Sequence, residues 1–597
     1  MKFLGDISDL RKKFDDIDGL EFCDPDNNLY TASVDGVDCI RWNATTGTID
    51  IMSRIEEINT KIYAAFGKQP PAFIQNDLEN EANHQENFLG EIFKDSELII
   101  GLVGTVGSRL GPLSDNLKEY LTSRFGYEVE VISVSSKIIK THMDPNSEPK
   151  SEFDRIKEFM DAGNNIRNKF NDNSYIALDV AREISDIRAA RKAASKSNRV
   201  AYIINSLKHD EEIKRLRQIY SEGFFQISLY ESPTRRSEYL IKDKGMTSEQ
   251  ANELLLRDEA EEKGHGQHTR DAFHLADYFV KFDGSYDSLR NSCFRFLSLI
   301  FGDPFITPTF DEFATFMAFS ASLRSADLSR QVGAVIARDE TILSTGANDI
   351  PKFGGGLYWP KIDKVTGEVS DIKDGRDYKR NEDSNVKEKQ KITEELTKSL
   401  LNLVDNHMSS DDQNAILKLK EAIGLTVKNS KIKDITEYGR VVHAEMETLL
   451  ACGRERISTK DATLYATTFP CHNCAKHIIA SGIKRVVFVE PYPKSKALDF
   501  HRESVTMGFQ SDDSKVILEP FVGVGARNFL NLFSMSLGSG HELKRKNNLG
   551  NTIEWKPREA QLRTALLPYS YIERENMAKE RIGKLGTAQA LKGAASL

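Results

Sequence analysis

Two short pieces of this sequence could do chemistry together: His443-Ala444-Glu445 and Pro470-Cys471-His472-Asn473-Cys474, with His443 lying 28 residues before Cys471. One imidazole and two thiolates supply three zinc ligands and leave the fourth tetrahedral position open for water. Water held there loses its proton near neutral pH, which is what a hydrolytic attack requires. Glu445 follows the histidine by two residues, so at a helix start it can lean toward that water without ligating the metal. It can then carry a proton from the nucleophile to a departing amine. Each piece opens a predicted helix, whose positive end favours ionised thiols. A lone CxxC also suits a structural zinc half-site or a redox pair. No second CxxC or CxxH stands at matching distance, which favours the catalytic reading. His472 and His477 read as surface or packing residues, and the scattered Cys23, Cys39, Cys293 and Cys452 as free buried thiols.

Composition limits what can surround this constellation. The 597 residues, 39% hydrophobic and 29% charged, predict three or four folded domains. With 81 Lys and Arg against 90 Asp and Glu, the net charge is -9 and bulk nucleic-acid binding is disfavoured. The opening MKFLGDISDL places Asp6 and Asp9 where a signal peptide needs an apolar core. No uncharged apolar run reaches the ~18–20 residues that span a bilayer. A soluble cytoplasmic protein with no membrane partner is expected.

Four segments position the chemistry. Residues 1–92 form an extension of unknown role, with strand-like runs LYTASVDG, DCIRWNAT and TIDIMS, a helical stretch, and the linker QNDLENEANHQEN. Residues 93–306 alternate strands (ELIIGLVG, VEVISVS, VAYIINS, FFQISLY) with charged helices, a pattern for a parallel sheet covered on both faces. Residues 307–543 run helix FDEFATFMAFSASLRSADLS, strands QVGAVIA and TILSTGA, helix VVHAEMETLLACG, strand ATLYATT, helix CHNCAKHIIASG, strand RVVFVE and helix ALDFHRESV. An insert at 361–437 holds 15 Lys/Arg and 16 Asp/Glu. Within that insert, Ile392, Leu396, Leu400, Leu403, Val404 and Met408 mark an amphipathic helix. From Lys544 onward the chain turns polar and reads as a C-terminal tail (544–597), with its small-residue end GTAQALKGAASL expected to fray.

A second candidate site is the glycine turn after the first of these strands, with Gly101, Gly104, Gly107 and Ser108. Backbone N–H groups and a helix start could hold a phosphate there. A working GxxxxGK[ST] loop needs a lysine that this turn lacks, and Arg109 is out of register.

Residues from about 310 to 530 resemble the deoxycytidylate deaminase branch of the cytidine deaminase superfamily. The matching pieces are RSADLSRQVGAVIA, Gly346-Ala347-Asn348, VVHAEMETLL, TTFPCHNCAKHIIASGIKRVVF and EPYPKS. The resemblance implies a three-layer α/β/α domain with a five-stranded sheet, Zn2+ on His443, Cys471 and Cys474, and proton transfer by Glu445. It also implies Asn348 on the nucleoside and the Ala444 N–H facing the pyrimidine oxygen. Arg324, Arg330, Tyr492 and Lys494 are candidates for phosphate or base contacts. Two features depart from the family: Glu447 stands where HAExN has asparagine, and the charged insert falls beside the site as a lid or oligomer contact.

The segments AYIINSLKHDEEIKRLRQIYSEGFFQISLYESPTRR and DAFHLADYFVKFDGSYDSLR resemble P-loop kinases, with Arg235 and Arg236 at the place of an arginine-bearing lid. An α/β kinase-like parallel-sheet P-loop domain followed by a deaminase domain resembles the bacterial antiphage deoxycytidine nucleotide deaminases over about residues 95–575. That resemblance implies conversion of dCTP and dCMP to deoxyuridine nucleotides and depletion of a phage precursor. It further implies a homo-oligomer from dimer to hexamer, restraint in some cases by an inhibitory small RNA, and an allosteric nucleotide in a kinase-like domain without phosphoryl transfer. Two other readings compete. A polynucleotide-editing deaminase acting on cytosine or adenine would need a basic, aromatic-lined groove. A nucleotide-sensing regulator would use the deaminase domain only for binding, and would have no need of Glu445.

Overall fold

β-branched and aromatic runs broken by glycine and asparagine open the chain, and they pair as a meander. The computed structural model describes residues 7–14, 20–26, 29–34, 37–43, 48–51, 62 and 66, and 96–564 except 146–148, 198, 260–267, 408–412, 436, 493, 509–513 and 537–542. Helix α1 (Ile7–Lys13) precedes strands β1 (Leu20–Asp26), β2 (Leu29–Val34), β3 (Val37–Asn43) and β4 (Thr48–Ile51), antiparallel in that order. Leu10, Phe14, Ile40, Trp42, Ile49 and Ile62 form its core. Residues 1–94 group with 567–597 as one compact unit. The predicted linker at 75–87, the side chains of Cys23 and Cys39, and the small-residue C-terminus lie outside the described residues.

Residues 95–566 make the other unit, built on two six-stranded sheets. In the first, the four apolar runs read from the sequence become β5 (Leu98–Gly104), β6 (Glu128–Ser133), β7 (Val200–Leu207) and β8 (Phe224–Tyr230), and a strand not read from the sequence, β9 (Tyr278–Lys281), joins them. All are parallel, in the order β9-β8-β5-β7-β6. Every residue of β5 is buried, as expected of a strand covered on both faces. Helices α2 (Leu110–Ser123), α3 (Glu152–Phe170), α4 (Tyr175–Ala193) and α5 (Asp210–Tyr220) flank the sheet, followed by α6 (Pro233–Lys242), α7 (Ser248–Glu259) and α8 (Tyr286–Ile300).

The second sheet follows α9 (Phe310–Ser322), whose N-terminus carries a capping box from Thr309 and Glu312. It begins with the antiparallel pair β10 (Gly333–Arg338) and β11 (Thr341–Ala347). The charged insert brings a hairpin of two-residue strands, β12 (Lys361–Ile362) with β13 (Val369–Ser370), a one-turn helix at Asp377–Arg380, and two longer helices, α10 (Ser384–His407) and α11 (Gln413–Lys428). Then come α12 (Ala444–Arg454), β14 (Thr463–Thr468), α13 (His472–Ala480), β15 (Arg485–Glu490), β16 (Val505–Met507) and β17 (Val516–Pro520). The sheet order is β11-β10-β14-β15-β17-β16. Gly333 is required where β10 crosses α9, since a Cβ there would lie 1.9 Å from the Ala318 carbonyl oxygen.

Several expectations are corrected. The helix predicted over 310–329 stops at Ser322, where the chain turns so that Asp327 can accept the N–H groups of Ser329 (2.8 Å) and Arg330 (3.0 Å). The predicted helix ALDFHRESV shrinks to Ala497–Phe500 and gives way to β16, because Val505 has an edge of β17 to pair with. The sheet has six strands, not five. The region after Lys544 is no simple tail: Leu562 is buried against the first sheet's core, and Arg563 N donates to Ile300 O at 2.8 Å. Finally, β18 (Gly523–Val524) leaves the second sheet and pairs antiparallel with β9 at the edge of the first.

Candidate active site

The two chemical pieces sit where strands hand over to helices. His443 is the N-cap of α12, and its approach is fixed by the bridge between Val442 and Asp349. Cys471 is the N-cap of α13, directly after β14, and its Sγ accepts the Cys474 N–H at 3.4 Å. The parallel β14–α13–β15 crossover therefore carries both sulfurs to one helix end, facing His443. His443 Nδ1 lies 3.4 Å from each sulfur, and the three donor atoms all lie within 4.8 Å of one another. Zinc bonds of about 2.0–2.1 Å to nitrogen and about 2.3 Å to sulfur, at the tetrahedral angle, put nitrogen and sulfur about 3.5 Å apart. The residues present fit the ion.

Electrostatics prepare the same end. The Cys474 thiol bonded to it, with His443 alongside, pulls the Cys471 thiol down to about 4 against the effect of burial. Cys474 is pushed up by that thiolate and by burial, and the contact with Cys471 raises His443 to about 9. One anionic sulfur, that of Cys471, is thus favoured before any cation arrives, while Cys474 keeps its proton. Glu445, buried to 4% exposure one residue into α12, has its carboxyl pushed up by burial against the pull of His443.

A cavity of about 220 Å³ opens over these groups. His443, Ala444, Glu445 and Cys471 line its floor, and Asn348, Arg330 and Tyr492 its walls. Ala444 is the first helical residue, and first-turn N–H groups have no intrahelical acceptor. The Asn348 amide is pinned: Oδ1 accepts Val332 N at 2.7 Å and Nδ2 donates to Arg330 O at 2.9 Å, leaving one donor and one acceptor direction unspent. Arg330 pairs with Glu490 at 2.7 Å and reaches Thr468 Oγ1 at 3.3 Å.

Two sequence candidates fall elsewhere. Arg324 donates to Tyr358 O at 2.8 Å and stacks 3.8 Å from the Trp359 ring centre, outside the cavity lining. Lys494 is exposed and does not line the cavity. Glu447, the departure from the family pattern, accepts Arg454 at 2.6 Å instead of lining the cavity. The sequence reading missed Asp327, Asp377, Asp383 and Asn385, all of which line the cavity, the last three from the insert. Nothing in the sequence singles them out; in the fold Arg376, next to Asp377, bridges Asp349 and Asp371 (both 3.3 Å) and so ties the insert to the end of β11.

The glycine turn is occupied by the protein itself. Val106 N donates to Asp258 Oδ2 at 2.7 Å and Arg109 N to Glu231 Oε2 at 3.1 Å, carboxylates standing on N–H groups that the sequence reading gave to a phosphate. Arg109 also ion-pairs with Glu231 and lies over the Tyr239 ring at 4.6 Å. Gly101 sits mid-strand, where a Cβ would lie 2.8 Å from the Leu207 and Phe224 side chains, so packing explains it. Gly104 ends β5 with its carbonyl on Lys208 Nζ at 2.8 Å; Gly107 has φ +82°, and Ser108 N turns back to Thr105 O at 3.0 Å.

Residues 308–490 match the family described as the cytidine and deoxycytidylate deaminase zinc-binding region. The chain is 28% identical to deoxycytidylate deaminase of Enterobacteria phage T2 over 184 residues, 30% of this chain and 79% of that one. It is 23% identical to deoxycytidylate deaminase of Saccharomyces cerevisiae over 305 residues, 49% of this chain and 76% of that one. Among solved structures, the dCMP deaminase of cyanophage S-TIM5 aligns at 16% identity over 36% of this chain and 100% of its own, with a TM-score of 0.18. The His443–Cys471–Cys474 triad lies inside the matched region, which carries zinc-dependent deaminase machinery suited to hydrolytic deamination. Among the described residues no helix is long and apolar enough to cross a membrane.

Proposed function

We propose that this protein hydrolyses the 4-amino group of free deoxycytidine nucleotides, dCTP, dCMP or both, giving deoxyuridine nucleotides and ammonia. The observation that carries the reading is the buried Glu445 carboxyl beside the His443–Cys471–Cys474 triad at the floor of a nucleoside-sized cavity. His443, Cys471 and Cys474 would hold zinc, which when bound lowers the pKa of a coordinated water to about 7. Glu445 takes the two protons of the attacking water in turn at its carboxylate, handing the first to the ring nitrogen and the second to the departing amine, which leaves as ammonia. The Ala444 N–H bonds the pyrimidine oxygen, and Asn348, held rigid by the 330–332 backbone, presents its remaining donor and acceptor to the sugar. Arg330 is the cation of the cavity wall and the candidate for phosphate, once it exchanges Glu490 for the ligand.

The acidic lining supports a mononucleotide over a strand. A groove for single-stranded nucleic acid combines cations with stacking aromatics, whereas Asp327, Asp377 and Asp383 border this cavity. The first sheet, with strand order β9-β8-β5-β7-β6 and a lysine-free turn, is in our reading a kinase-like domain (93–306) that has given up phosphoryl transfer. The 307–543 segment is the catalytic part. Depletion of dCTP during phage infection, homo-oligomer formation and restraint by a small RNA complete the proposal. It is tested by incubating the zinc-loaded protein with each cytidine and deoxycytidine mono-, di- and triphosphate and following ammonia. Release from dCMP or dCTP is expected; release only from oligonucleotides would overturn it.

A further inference from the structure

Among the described residues that line the catalytic cavity, Arg330 is the single Lys or Arg, set against Asp327, Asp377 and Asp383. Its backbone is fixed: N donates to Asp327 at 3.0 Å, and O accepts the Asn348 amide at 2.9 Å. The side chain alone is left to move, and its Nη2 is committed twice. Nη2 lies 2.7 Å from Glu490 Oε1 and donates to Thr468 Oγ1 at 3.3 Å. A guanidinium grips a phosphate best through two parallel N–H groups. Nη2 belongs to both of its two-pronged faces, one shared with Nε and the other with Nη1. Neither face is complete while Glu490 and Thr468 hold that nitrogen.

Glu490 closes β15 and stands beside Thr468 in the β14–β15 register, where Thr468 Oγ1 also reaches its Oε2 at 3.4 Å. It does not line the catalytic cavity. It lines a second one, about 520 Å³, between β9 of the first sheet and α9, and Arg527 is part of the same lining. The Arg330–Glu490 pair therefore spans the wall between two cavities. A released carboxylate has open volume and a cation to turn toward. The two side chains are 40% and 34% exposed, and an ion pair so open to water is weak enough for a competing anion to break.

We infer, on the reading that deoxycytidine nucleotides are the substrates, that Glu490 is a positioning residue that sets the affinity of this site for phosphate. It holds Arg330 parked against the wall. A nucleotide binds by taking Nη2 and one neighbouring N–H, and Glu490 turns into the second cavity. A nucleoside without a phosphate has nothing to exchange and leaves the pair standing.

The test follows ammonia release from dCMP and dCTP by the full-length, zinc-loaded protein, with deoxycytidine added as a competitor. Glu490→Gln should lower KM for the nucleotides by about three- to fivefold, the worth of one exposed ion pair, and leave kcat within about twofold of the parent. Glu490→Ala, which removes the acceptor altogether, should shift KM in the same direction. The Ki of deoxycytidine should stay within about twofold, and on an Arg330→Ala background neither Glu490 substitution should move KM by more than about twofold. A nucleotide KM that rises or does not move overturns the proposal. So does an equal shift in the deoxycytidine Ki, or an equal effect in the protein lacking Arg330. Ammonia from neither nucleotide in the parent protein would instead remove the substrate assignment, and the role of Glu490 would fall with it.

Discussion

Replacing Glu445 with glutamine tests the mechanism at its centre. The side chain keeps its shape, but an amide donates where the carboxylate accepts, so no proton can be taken from the attacking water. Positioned acid–base groups contribute about 10²–10⁴-fold, which is about 2.7–5.5 kcal/mol at 1.36 kcal/mol per decade. The upper half of that range is expected here, because a group 4% exposed at a cavity floor has little bulk water to replace it. Stability should move the other way. Burial already works against the charged form of Glu445, so a neutral amide removes a desolvation penalty and Tm should hold or rise. The assay is ammonia release under saturating dCMP or dCTP, with zinc measured on the same sample by atomic absorption. Turnover within about tenfold of the parent protein at one equivalent of zinc would refute proton transfer by Glu445.

Other expectations follow from individual contacts. Cys471→Ser or Cys474→Ser should lower bound zinc well below one equivalent and abolish activity together, as read by metal analysis after gel filtration. Arg330→Ala should raise KM about tenfold or more with a smaller change in kcat, since it removes a phosphate contact and leaves the floor of the cavity intact. Arg376→Ala should destabilise the protein by about 3–5 kcal/mol, visible as a lowered Tm, because it strands Asp349 and Asp371. Burial raises the Asp311 carboxyl, but two hydrogen bonds from Arg485 and one from Tyr465 more than offset this and hold it below its ordinary value. An acid held down in the folded state stabilises above its unfolded pKa, about 3.9, and loses that stability as pH falls through the folded value. Asp311→Asn should therefore flatten the acid limb of a stability-against-pH curve below about pH 4.

The triad was legible in the sequence because its geometry is local. Cys471 and Cys474 share one helix turn, and a histidine two residues before a glutamate needs only a helix start to aim both. Eight strands of the two sheets were legible for a similar reason, as their apolar runs are continuous, whereas β9, β16, β17 and β18 were not read. Contacts between distant segments were not legible. Nothing near Arg324 in sequence announces Trp359, and the acidic lining is hidden in an insert so rich in charge that Asp377 and Asp383 have no distinguishing neighbours. The carboxylates of Glu231 and Asp258 reach the glycine turn across more than a hundred residues, and no spacing rule connects them.

The two-residue strand β18 has a consequence for how this chain can be divided. Gly523 and Val524 complete the edge of the first sheet from far beyond the second, and Val524 N is held at 2.8 Å by Glu312, which Arg295 clasps from the other side. Trp555 and Leu562 then return to cover the first sheet's helices. A gene fragment ending near residue 307 would leave β9 with a bare edge and an apolar flank in water, inviting strand-to-strand association. A fragment starting there would carry β18 with no strand to join. Neither half is a transferable cassette: a substitution in one sheet is felt in the melting of both, and any recombination that swaps the catalytic region must bring its return crossing with it.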